Sequence, residues 1–199
     1  MQGQRDIPLN DKGLTQAAGN GRTLAAFLQQ EGIEAPTLDF VSSPLKRTRQ
    51  TMEMVRKNMG LPTDDYRTDD RLKEITFGTW EGQTLEELQM TRPDLTAARR
   101  ADKWGFICPE GESYEMLSRR ILGWLSSVDK PTVAVTHGGV IRVLRGLLQD
   151  LDPRHIPSLD VPQDTVYVWR NNNLTALKQD HDELFASLPD ASQVEATRP

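Results

Sequence analysis

An α/β fold, with a mostly parallel sheet covered by helices on both faces, is the class that this 199-residue sequence predicts. Short β-branched runs alternate along the chain with segments of helical period. Two of those runs, LDFVSS (38–43) and TVAVTH (132–137), pass into helical patterns with almost no loop between. No internal repeat or low-complexity tract interrupts the alternation.

The elements follow in order. Asn10 is a helix cap, and Leu14, Ala17, Gly21, Leu24 and Leu28 recur at helical spacing until Gly32 stops the helix. LDFVSS is a strand. Pro44 suits a first helical position, and Leu45, Thr48, Met52, Val55 and Met59 form the inner face of a helix ended by Gly60 and Pro62. RLKEITFGTWEG has no clean period and two glycines, so it is an irregular loop. Thr84 with Glu87 spells a capping box for a helix to about Met90, and Pro93 opens another. WGFICPEGES is irregular again, after which Ser113 caps a helix with Tyr114, Leu117, Ile121 and Leu125 inside. TVAVTH reads as a buried strand, and the helix after Gly139 buries Val140, Val143, Leu144, Leu147 and Leu148. TVYVWRNNNLTALKQ is a hairpin turning at Asn171, Asn172 and Asn173. One domain over 1–188 and a disordered tail over 189–199 are expected.

Lys plus Arg number 24 against 29 Asp plus Glu, and the net charge of -5 gives no footprint for nucleic acid or an anionic membrane. The single cysteine, Cys108, fits a reducing compartment, so a cytoplasmic location is expected. No apolar run approaches the roughly 18 residues of a spanning helix.

In open α/β sheets, ligands gather at the carboxyl ends of strands. That rule brings Ser42, Ser43 and His137 to one edge. After Ser43, a helix N-terminus and Arg47 could hold an anion, although Lys46, Arg47 and Arg49 read equally as a solvated helix face. Glu74, beside Phe77 and Trp80, could be desolvated and kept protonated as an acid; Glu81 in the same loop has the same claim. His137 ends an apolar strand, where Gly138 and Gly139 let backbone approach a ligand; it could equally be a structural histidine. His155 and His181 read as solvent-facing. No pair of histidines has metal-ligand spacing and Cys108 has no partner thiolate, so no metal site is expected.

Taken in order, GQRDIPLNDKG, SSPLKRTRQT, LKEITFGTWEG, PEGES and VTHGG resemble the histidine phosphatase superfamily, the phosphoglycerate mutase-like proteins, over roughly residues 2–180. The resemblance implies a three-layer α/β/α sandwich and a phosphohistidine mechanism on a small phosphate ester, without metal or cofactor. It assigns phosphate binding to Arg47 and His137, proton donation to Glu74, and the lining of the substrate pocket to Gln2 and Gly3, with Gly138 alongside. Specificity would come from residues 84–112, including Trp104 and Phe106. Phosphomonoester hydrolysis is expected ahead of mutase-type phosphoryl transfer, because the span from Glu74 to PEGES is short. A homodimer is an option that such folds often take.

In the family, the nucleophilic histidine sits in an Arg-His-Gly segment ahead of the GQRDIPL stretch, on an interior strand next to the one ending at His137. The resemblance therefore implies about 15 to 25 further residues before Met1. A chain that truly starts at Met1 would instead be a non-catalytic phospholigand-binding protein.

Overall fold

The computed structural model describes residues 1–179, so His181 and the 189–199 tail lie outside the described residues. Its elements are α1 (Asp11–Gln30), β1 (Asp39–Ser42), α2 (Lys46–Asn58), β2 (Arg67–Thr68), α3 (Leu85–Thr91), α4 (Pro93–Ala101), α5 (Tyr114–Leu125), β3 (Thr132–Val135), α6 (Gly138–Leu148), β4 (Thr165–Arg170) and β5 (Asn173–Lys178).

The caps fall where the side chains require them. Asn10 accepts from the Gly13 amide, Ser113 accepts from Met116, and Thr84 and Glu87 close both halves of the capping box. The β4–β5 turn places Asn171 and Asn172 at positive φ, which asparagine tolerates better than most residues. Pro44 is a correction, because α2 begins two residues later, after Leu45 in extended geometry. Pro44 instead shapes the turn out of β1, and the Lys46 amide donates to Asp6 Oδ1 at 2.6 Å.

β1 pairs in parallel with β2 on one side and β3 on the other, and β4 and β5 form a separate antiparallel hairpin. Alternate residues of the strands face opposite layers, as the two-residue period dictates. Val133 packs with Leu24, Leu28 and Val55 of α1 and α2, whereas Ala134 and Val41 pack into the larger core of α5 and α6 around Leu117, Ile121, Val140 and Val143. The sandwich therefore has three layers, with β1 and β3 between two helix pairs.

β3 was expected to be buried, yet all four of its residues are only half-buried. Asp39 and Ser43 donate to the carbonyls of Pro131 and Val135, which turns the odd-numbered backbone groups of β3 toward β1. The backbone of Thr132 and Ala134 consequently faces the other edge, where no described strand pairs with it. β4 has a matching open edge. Gln179 bonds Asp164, so Thr165, Tyr167 and Trp169 direct their backbone groups away from β5. Val133 and Val166 meet the same α1–α2 cluster, so both open edges lie over one helix pair.

Candidate active site

The strand ends deliver the site as parallel pairing demands. Ser42 is level with Val135, so the chain leaving β1 and the chain leaving β3 emerge together. His137 is then the N-cap of α6, and its Nε2 lies 2.8 Å from Ser43 Oγ. Arg47, on the first turn of α2, donates from Nε to His137 Nδ1 at 3.2 Å.

That contact fixes the state of the imidazole. A ring nitrogen that accepts from a guanidinium carries no proton, so Nδ1 is bare and the hydrogen sits on Nε2, donated to Ser43. Burial, then the charges of Arg47 and Arg120, lower the His137 pKa from 6.5 to about 3. The unfolded chain takes up this proton below pH 6.5, while the folded chain resists until near pH 3. Stability from this group is thus full above pH 6.5 and is lost progressively as the pH falls toward 3. A His137→Gln variant is expected to show a shallower decline of Tm across that window, measured by thermal denaturation in a pH series.

Arg47 is held by three of its five donors. Besides Nε, Nη1 donates to the Arg5 carbonyl at 2.8 Å and Nη2 to the Gly3 carbonyl at 2.9 Å. One hydrogen remains on each terminal nitrogen, a fork matched to two oxygens of a phosphoryl group. The expected anion site at the first turn of α2 is partly filled, because Asp6 already takes the Lys46 amide. Arg47 supplies the donors in its place.

Glu74 closes the other side. Its carboxylate accepts from Ile75 N at 2.9 Å and from Gly139 N at 3.1 and 3.2 Å. Burial raises its pKa above the ordinary 4.5, outweighing these amides and the charges of Arg47 and Arg142. Gly139 is required here: a Cβ on it would stand 2.4 Å from Glu74 Oε1. Glu81, the competing loop carboxylate, is occupied otherwise. Its Oε1 accepts from Gln4 N, Thr76 Oγ1 and Phe77 N, which ties the loop to the start of the chain.

Gly3, at φ 55°, reaches the site through its carbonyl, whereas Gln2 is exposed in the same turn. Gly138 borders the site, with Arg142 Nη1 3.2 Å from the place its Cβ would occupy. His155 is exposed. Trp104 stacks on Tyr114 with centroids 6.5 Å apart, while Phe106 packs on Trp80 at 5.6 Å in a small core beneath α3. No group of three or more His, Cys, Asp or Glu among the described residues could hold a metal ion, and no described helix is long and apolar enough to cross a membrane.

Arg120 was not foreseen from the sequence. All five of its donors are used, two on the Glu112 carboxylate at 2.8 and 2.9 Å and the others on the carbonyls of Arg71, Lys73 and Glu74. Glu112 in turn accepts from Thr76 N at 3.1 Å, so one ion pair clamps both flanks of Glu74. Gln4 adds a bond from Nε2 to the Glu74 carbonyl at 2.9 Å. Arg120→Met would leave Glu112 without its cation and the carbonyls of Arg71 and Lys73 without their side-chain donor. A loss of about 3 kcal/mol is expected, read as a lowered urea midpoint.

Comparison with known proteins agrees with this fold. The chain matches the histidine phosphatase superfamily (branch 1) over residues 1–177. It is 34% identical over 145 residues to 6-phosphofructo-2-kinase/fructose-2,6-bisphosphatase 1 of Bos taurus, an alignment covering 72% of this chain and 29% of that protein. This chain thus corresponds to less than a third of that relative. Among solved structures, a mycobacterial glucosyl-3-phosphoglycerate phosphatase aligns with TM-score 0.66 at 28% identity, over 80% of this chain and 76% of the other. YhfR of Bacillus stearothermophilus aligns with TM-score 0.68 at 26% identity, over 89% and 87%. By the match over residues 1–177, the chain belongs to the histidine phosphatase superfamily, branch 1.

Proposed function

We propose that the protein is a phosphomonoester hydrolase acting on a small phosphorylated metabolite through a phosphohistidine. The observation that carries this reading is the meeting of a guanidinium fork, a neutral imidazole and a desolvated carboxyl at the N-terminus of α6. Arg47 neutralises charge on the phosphoryl oxygens, the uncharged His137 offers them the hydrogen on Nε2, and the N-terminus of α6 adds its dipole. An imidazole nitrogen attacks phosphorus, the P–N bond forms and the P–O bond to the alcohol breaks, while Glu74 passes its proton to the departing oxygen. Water then attacks phosphorus, Glu74 takes its proton, and the P–N bond breaks to release inorganic phosphate.

The attacking histidine is proposed to ride on a strand seated between β3 and β4. Support comes from the two open edges over one helix pair and from the buried Thr165 Oγ1, which has no partner among the described residues. Hydrolysis is favoured over mutase transfer by the short cover between Glu74 and Glu112, whose helices α3 and α4 have only seven and nine residues. The named phosphatases among its relatives support the same choice.

The native-length protein is expected to turn over p-nitrophenyl phosphate at mildly acidic pH equally with and without a chelator. Quenched during turnover of labelled substrate, it should carry a phosphoryl group labile to acid and stable to alkali. Chelator-sensitive turnover would refute the metal-free route, and a folded protein without turnover would be a phospholigand-binding module. An intact mass of 22.4 kDa from the source cell, that of the 199-residue chain, would rule out the additional strand.

A further inference from the structure

We infer that a separate ligand site lies at the end of β1 opposite the phosphate site, a cavity in which Arg56 receives the carboxylate of a small, otherwise apolar organic acid. The site does not depend on the phosphatase reading. Asp39 and Phe40 open β1 and Ser43 follows its end, while Arg47 is in the first turn of α2 and Arg56 in the last. At about 1.5 Å per residue, the two arginines are roughly 13 Å apart along the helix. The cavity measures about 500 Å³, a size that suits a small organic molecule. Pro36, Leu38, Leu61 and Pro62 give it apolar walls, and Phe40 and Tyr66 add two rings. Arg56 is its buried polar group, only 3% exposed, with the guanidinium over the Phe40 ring 4.4 Å from the centroid.

Arg56 is incompletely satisfied by the protein. Nε donates to the Pro62 carbonyl at 2.6 Å, Nη2 reaches Asp65 Oδ2 only at 3.4 Å, and Nη1 donates to none of the described residues. Arg120, at 21% exposure, engages all five of its donors. A buried guanidinium with donors left over costs folding stability until an acceptor meets them. The contact with Asp65 shows which chemistry that acceptor has. The Asp65 side chain is 82% exposed, so a carboxylate from solution can replace it on Nη2 and also take Nη1, completing a two-point contact. The sheet edge offers one more donor. The Asp39 amide donates to Pro131 on the β3 side, so the Phe40 amide faces the other edge, where β2 begins only level with Val41. The surrounding charges select a monoanion over a phosphoryl group. Arg67 is already held by Asp39 Oδ2 at 2.7 and 3.1 Å, and the exposed Asp64 and Asp65 also line the cavity and would repel a dianion.

The test is a titration of the native-length protein with phenylacetate and with phenylacetamide, followed through its backbone amide NMR signals. Phenylacetate is expected to shift the amides of Phe40, Asp65 and Tyr66 saturably, and the uncharged amide to bind about tenfold more weakly. Asp65→Asn removes the competing carboxylate and should tighten phenylacetate by about threefold. Arg56→Lys keeps the charge but loses the fork, and should weaken it by about tenfold. Arg47→Ala should leave its Kd unchanged. If Arg56→Lys does not fold, Asp65→Asn and the comparison of the two probes decide the matter. Equal affinities for the two probes, no saturable shift at Phe40 and Tyr66, or weaker binding in Asp65→Asn would overturn the site. So would shifts confined to Gly3, Arg47 and Gly139 and lost in Arg47→Ala, the mark of a carboxylate bound in the phosphate site.

Discussion

Arg47→Ala is expected to lower kcat/KM for p-nitrophenyl phosphate by about three orders of magnitude. The substitution removes the two-pronged donor from the phosphoryl oxygens, and it also changes His137. Without the Nε donor at 3.2 Å, Nδ1 of His137 has no hydrogen to accept, and the tautomer that donates toward Ser43 loses its reason to dominate. The carbonyls of Gly3 and Arg5 are released at the same time. Arg47→Lys would restore charge but only one point of contact, so it should recover a minor part of the activity. Steady-state kinetics beside a thermal melt check the prediction. A loss of less than about tenfold in a folded variant would remove Arg47 from the phosphate site.

Glu74→Gln should produce opposite effects on rate and stability. On glycerol 3-phosphate, whose alkoxide cannot leave without a proton, kcat is expected to fall by about 10² to 10⁴. On p-nitrophenyl phosphate, whose phenolate leaves unaided, the fall should be far smaller in the first chemical step. Burial raises the Glu74 pKa above 4.5, so this group's contribution to stability is full below that pH and is lost as the pH rises through its folded value. The glutamine keeps an oxygen for the Gly139 and Ile75 amides and carries no charge. Its Tm at pH 7 should therefore exceed that of the unaltered protein. Equal losses on both esters would contradict proton donation by Glu74.

Local signals were readable in the sequence wherever one segment contains its own cause. The Thr84–Glu87 box, the Asn10 and Ser113 caps and the inner faces of α1, α2 and α5 depend on neighbours within a turn or two. The meeting of Ser42, Ser43 and His137 on one edge also followed, because parallel strands must end on one edge. Long-range choices did not. Glu74 and Glu81 share a loop and a residue type, and only contact with Gly139 on the distant α6 separates them. Arg120 lies on α5 and reports its role only through carbonyls some 46 to 49 positions earlier. Asp6 takes the first amide of α2 across 40 residues, which no spacing within that helix announces.

The three-way hold on Arg47 has a thermodynamic consequence. A free arginine side chain has rotational freedom worth up to about 2 kcal/mol, lost whenever it is fixed against a ligand. Here that loss occurs when the chain folds, through the bonds to His137, Gly3 and Arg5. Phosphate then meets a guanidinium that is already immobile, and its binding entropy need not include the freezing of that side chain.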